Sequence, residues 1–141
     1  MIDTVSISKR AYAAIMLHLK NAYPYEACGI LLGNKKSGTV ESISSMDNSA
    51  GEDLKRSHYL IDPIALYRLE TEAESRGMTV AGFYHSHPDK EAILSREDKL
   101  NMIPGMFYMV VSTKRFGIGE IKVYIRDDPD GKIYSVAIWE A

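Results

Sequence analysis

The run TVAGFYHSHP, residues 79–88, constrains the fold of this chain more than any other stretch. Its β-branched and aromatic residues make a strand, and that strand ends on two histidines and a proline. Side chains two apart on a strand point to the same side, with Cα atoms roughly 6.6 Å apart, so His85 and His87 can aim their imidazoles at one point. Ser86 faces the other way. Pro88 has no N–H to give to a sheet ladder, which puts the histidine pair at the mouth of the strand, where solvent reaches it.

The other elements are read around that strand. Residues 4–7 form a short strand, and Tyr12, Ile15, Met16, Leu19 and Tyr23 then repeat at helical spacing up to Pro24. His18 lies off that stripe and is expected to be solvated. ACGILLGN is a buried strand closed by a turn, GTVESISS a half-buried strand, MDNSAGEDLKR a polar loop and SHYLI a further short strand. Asp62 and Pro63 start a helix, as N-cap and first helical residue, whose face runs through Ala65, Leu66, Leu69 and Ala73 to about Arg76 and Gly77. A short helix from Ser95 and three strands, MFYMVVS, EIKVYIR and KIYSVAIWE, complete the chain, the last three looking antiparallel. The sum is α/β: a mixed β-sheet flanked by helices, with residues 1–141 as a single domain.

A length of 141 residues and 45% hydrophobic content suit one core. The formal charge is −2, and the 17 basic residues are scattered rather than gathered along a stripe, which argues against a nucleic-acid partner. The start MIDTVSISKR lacks the pattern of a signal peptide, and no apolar run approaches the roughly 20 residues of a membrane helix. No membrane partner is expected, and the protein should be soluble and cytoplasmic. The single cysteine, Cys28, supports neither an internal disulfide nor a cysteine-rich zinc cluster. Nothing in the sequence sets the oligomeric state.

Two imidazoles and a carboxylate are the ligand set of many catalytic zinc sites that leave a fourth position to water, and of facial iron sites. Asp98 is a candidate third ligand. By itself SRED, residues 95–98, also reads as a capping box, with Ser95 as N-cap and Asp98 at the third helical position. The two readings are compatible, because a cap that locks the first turn also fixes the direction of Asp98.

Taken whole, HSHPDKEAILSRED resembles the signature of the JAMM (MPN-plus, Mov34) metallopeptidases: His, Ser or Thr, His, Pro, six variable residues, Ser, two variable residues, Asp. His85, Ser86, His87, Pro88, Ser95 and Asp98 fill it with the spacing intact. PYEACGILLG resembles the upstream segment in which that family carries a glutamate, here Glu26. The likeness runs from about Val5 to Ile125. It implies a cytidine-deaminase-like fold of the minimal, stand-alone prokaryotic type, and one Zn2+ per chain held by His85, His87 and Asp98. Glu26 is then the general base and Ser95 a hydrogen-bond donor to the developing oxyanion.

The implied substrate is the C-terminal Gly-Gly tail of a ubiquitin-like or sulfur-carrier β-grasp protein. Leu94 departs from the proline that many members carry before the serine, and the loop at 46–57 leaves little room for the insertions of larger members. Cys28 and His58 are read as structural rather than catalytic. Two other classes compete: a non-enzymatic scaffold on the same fold, against which the complete ligand set argues, and a metallohydrolase of another small amide.

Overall fold

A computed structural model describes residues 2–51, 54 and 59–141. Its elements are β1 (Thr4–Ile7), α1 (Lys9–Ala22), β2 (Cys28–Asn34), β3 (Thr39–Met46), α2 (Pro63–Ser75), β4 (Thr79–Pro88), α3 (Arg96–Leu100), β5 (Phe107–Lys114), β6 (Gly117–Arg126) and β7 (Ile133–Glu140). The start of each helix obeys local chemistry. Ser8 accepts the Ala11 N–H at 3.1 Å to open α1, and Asp62 accepts the Ile64 N–H at 3.1 Å to open α2, with Pro63 where its missing N–H costs nothing.

The seven strands run in the order β1-β3-β2-β4-β5-β6-β7, and β1 also pairs with β7, closing the sheet. β1 is parallel to both of its neighbours, β4 is parallel to β5, and the remaining pairs are antiparallel. Periodicity could not reveal this closure, because four residues of β1 carry no information about which strands they join.

The central strands are buried on both faces. On one side Ala11, Ile15 and Leu19 of α1 pack into a core to which every strand contributes, including Leu31, Tyr84, Met109 and Val111. On the other, Ile30, Leu32, Val80, Phe83 and Val110 meet Ala73 of α2 together with Ala92, Leu94 and Met102. Alternation along β4 thus sends Phe83, His85 and His87 to the second side and Tyr84 and Ser86 toward α1.

Two local expectations are corrected. His18 is not simply solvated: it is half-buried, with Nδ1 2.7 Å from the hydroxyl of the buried Tyr84. The buried stripe of α1 is centred on Ala11, Ile15 and Leu19, so His18 falls at its margin and satisfies a phenol that would otherwise be orphaned. SHYLI is not a strand where it is described: residues 59–61 have no regular structure, and Ser57 and His58 lie outside the described residues. Among the described residues no helix is long and apolar enough to cross a membrane.

The β4–β5 pairing leaves no room at Gly82, where an added Cβ would overlap the main-chain carbonyl of Phe107. Backbone cannot swing aside as a side chain can. Gly82→Ala should therefore cost at least about 2 kcal/mol in chemical denaturation. An unchanged midpoint would mean that the strands do not approach this closely.

Candidate metal centre

The antiparallel register of β2 and β4 pairs Cys28 with His85, and the pairing continues past the end of β2. Ala27 donates its N–H to the Ser86 hydroxyl at 3.0 Å, and Ser86 donates its own N–H to the Ala27 carbonyl at 3.0 Å. Glu26 is thereby brought beside His87, across 59 positions of sequence between Ala27 and Ser86. Asn48 adds a second restraint: its Nδ2 donates to the Glu26 carbonyl at 3.0 Å while its Oδ1 accepts the Leu60 N–H at 3.2 Å.

Three donor atoms converge at the mouth of β4. His85 Nε2 and His87 Nε2 are 3.0 Å apart, and Asp98 Oδ2 is 3.3 Å from each. Bonds of 2.0–2.1 Å from a tetrahedral cation give ligand-to-ligand edges of about 3.3 Å, so this triangle has the size of one face of a zinc tetrahedron. Two neutral imidazoles facing each other and a carboxylate are a poor arrangement without a positive charge between them, since only one pair can share a proton at a time. The donor set fits a divalent cation of nitrogen and oxygen preference.

A second carboxylate is close. Glu26, His85 and His87 each offer a ligand atom within 4.8 Å of the others, and all three residues are buried. Asp98 Oδ2, 3.3 Å from each imidazole, and the Glu26 carboxylate are thus both candidates for the third corner. Among the described residues Glu26 Oε2 is buried without a hydrogen-bond partner.

Local structure aims each group. The capping box is present: Ser95 Oγ accepts the Asp98 N–H at 3.0 Å, and Asp98 Oδ2 accepts the Ser95 N–H at 2.9 Å. The capping contact uses a lone pair of Ser95, which leaves its O–H as a donor. His87 Nδ1 is 3.1 Å from the Glu91 carbonyl, whereas His85 Nδ1 is buried with no partner and its ring stacks on Tyr59 at 4.6 Å.

Electrostatics follow from burial and from this packing. Burial holds His85 below its ordinary value, against the opposing pull of Asp98. At His87 burial pulls the same way but is outweighed by hydrogen bonds with Asp98 and the Glu91 carbonyl, and the net direction is up. Asp98 is pushed up by burial and pulled further down by hydrogen bonds to His85 and His87 and by the Ser95 amide; it stays ionised well below the usual carboxylate range. Glu26 goes the other way. Burial outweighs the attraction of His87 and raises it to about 7, with Asp98 adding to the rise. Cys28 is pushed up to about 12, by burial and then by Glu26 and Asp47, and its thiol donates weakly to the Met46 carbonyl at 3.9 Å.

The centre opens into a cleft of about 710 Å3, with Glu26, His87, Ser95 and Asp98 at its polar end and Leu60, Phe83, Ile93, Ile103 and Tyr108 on its apolar walls. The structure therefore brings together all five residues singled out in the sequence. Sequence reasoning missed Ser86 as a clamp, Asn48 as a strut and Tyr59 as a wall. Ser86 had a signal in its position between the histidines; the other two lie in or just after a polar loop that offered none.

A family profile described as prokaryotic homologs of the JAB domain matches residues 8–124. Among curated proteins, a desampylase of Haloferax volcanii is 31% identical over 113 residues, covering 77% of this chain and 80% of the relative. A CysO-cysteine peptidase of Mycobacterium tuberculosis is 30% identical over 112 residues, covering 79% and 75%. Among solved structures, a JAB1/MPN domain protein of Archaeoglobus fulgidus superposes with a TM-score of 0.58 at 20% identity, covering 96% of this chain and all of that one, 100%.

The raised value of Glu26 gives a pH test. In the folded chain Glu26 keeps its proton up to about 7, whereas the unfolded chain loses it near 4.5, so the folded state binds more protons between those values. Stability must then fall as pH rises through that window. In protein stripped of metal by a chelator, wild type should lose on the order of 2–3 kcal/mol between pH 4.5 and pH 7 relative to Glu26→Gln, which cannot titrate. Parallel stability curves for the two proteins would contradict the burial of an unpartnered Glu26 carboxyl.

Proposed function

The chain belongs to the family of prokaryotic homologs of the JAB domain, and on that footing we propose that it is a zinc-dependent peptidase that hydrolyses the amide bond at the C-terminal Gly-Gly tail of a ubiquitin-like or sulfur-carrier protein. The observation that carries the reading is the triangle of His85, His87 and Asp98 with the unpartnered Glu26 Oε2 beside it. The names of two relatives, a desampylase and a CysO-cysteine peptidase, support the class of reaction and of substrate.

His85, His87 and Asp98 would hold the zinc. When bound, the cation supplies Lewis acidity, polarising the scissile carbonyl and acidifying a water. Glu26 takes the proton of the attacking water on its carboxylate and passes it to the nitrogen of the leaving amine. A carboxyl group held near neutral pH is suited to both halves of that transfer. Ser95 donates its O–H to the carbonyl oxygen as negative charge gathers there, using the proton that its capping role leaves free. The apolar walls of the cleft accept an extended tail, and glycines allow its backbone a close approach to the centre. A cytoplasmic setting agrees with the single buried, unpaired Cys28.

Incubation with a panel of fusions, each carrying a ubiquitin-like or sulfur-carrier protein ahead of a peptide, should yield cleavage after Gly-Gly, read by mass spectrometry. Glu26→Gln should keep its zinc and lose turnover by about 10² or more. Loss of zinc from that variant would make Glu26 a ligand. Cleavage of unrelated small amides with none of the panel would move the substrate class.

A further inference from the structure

An imidazole that coordinates through Nε2 carries its proton on Nδ1, and a partner for that N–H normally fixes the ring's tautomer and rotation. His87 has one in the Glu91 carbonyl, 3.1 Å from its Nδ1. Among the described residues His85 has none: its Nδ1 is buried and unpartnered. Rotation of an imidazole about its second side-chain torsion is broad, and with no hydrogen bond at Nδ1 to fix this ring from behind, packing must.

The packing is supplied by Tyr59. The two ring centroids are 4.6 Å apart and the planes 28° from parallel, an offset stack over the face of the imidazole. Tyr59 sits in a segment without regular structure, yet that segment is fastened. Leu60 donates its N–H to Asn48 Oδ1 at 3.2 Å, and its carbonyl accepts the Ser49 N–H at 2.8 Å. Since Asn48 also binds the Glu26 carbonyl, at 3.0 Å, the Tyr59 wall and the Glu26 carboxyl hang from one side chain.

We propose that Tyr59 is a positioning residue of the metal centre, its ring doing for His85 by stacking what the Glu91 carbonyl does for His87 by hydrogen bonding. This rests on the reading of His85 as a zinc ligand. The ring, and not the hydroxyl, carries the effect.

The test uses the full chain. Zinc affinity is measured by competition with a chromogenic chelator, and the geometry of the ligands by the visible absorption of the Co2+-substituted protein. Tyr59→Phe keeps the stacking face and should match wild type in both readouts within about 2-fold. Tyr59→Leu fills similar space without a ring, and Tyr59→Ala leaves none; each should bind zinc about 10-fold more weakly or worse and shift the cobalt bands. Near-UV circular dichroism of the Leu variant guards against a general loss of fold. Wild-type affinity and spectrum in the Leu and Ala variants would overturn the proposal. So would a Phe variant as impaired as Ala, which would assign the effect to the hydroxyl. A wild-type chain that takes up neither zinc nor cobalt would instead overturn the reading of the centre, and the proposal with it.

Discussion

The pairing of β2 with β4 is the constraint on which the rest depends. Its register sets Cys28 against His85, and the reciprocal contacts of Ala27 and Ser86 carry the ladder one step beyond the end of β2. Every feature of the centre follows from that step. A slip of one residue would turn Glu26 to the opposite face, toward α1. Register is protected from both sides, because β2 and β4 bury apolar residues on each face and neither face can be exchanged for the other at low cost. Ser86 is thus as important to the geometry as the histidines that flank it, although it points away from them.

The centre is electrostatically incomplete as a set of side chains. It buries two imidazoles, an ionised Asp98 and the carboxyl of Glu26 within a few ångströms, and leaves polar atoms of Glu26 and His85 without partners. Such groups cost stability unless something compensates them. A divalent cation at the triangle would compensate most of them together: it would attract the two Nε2 lone pairs and the Asp98 carboxylate, and its charge would favour the ionised form of Glu26. Stability is given up for function in this corner and recovered in the two apolar cores, where Ile15, Leu31, Tyr84 and Met109 on one side and Ile30 and Val110 on the other are fully buried.

How much of this was legible in the sequence depended on whether the signal was local. Helices with strong periodicity or caps, such as α1 with its stripe from Tyr12 to Tyr23 and α2 with Asp62 and Pro63, could be read from local signals. HSHP and SRED carry geometry in short spacings on one strand and one helical turn, but by itself SRED read as a capping box, and it was the resemblance that joined these residues as candidate ligands. The meeting of Glu26 with His87 was implied only by resemblance, since no local pattern encodes the pairing of strands so far apart. The closure through β1 was invisible for the same reason. Residues 59–61 misled outright: β-formers in SHYLI suggested a strand, but side-chain bonds from Asn48 fasten this segment in place of a sheet ladder. The stacking of Tyr59 on His85 is a tertiary fact with no trace in spacing.

The central claim is that His85, His87 and Asp98 form one face of a zinc tetrahedron while Glu26 stands outside it. Zinc-edge anomalous diffraction from crystals of the full chain tests it most directly. A single zinc is expected, about 2.0–2.1 Å from His85 Nε2, His87 Nε2 and an Asp98 oxygen, with the Glu26 carboxylate beyond bonding distance. A zinc bound by Glu26 in place of Asp98, or an ordered crystal grown with zinc whose triangle holds none, would contradict it.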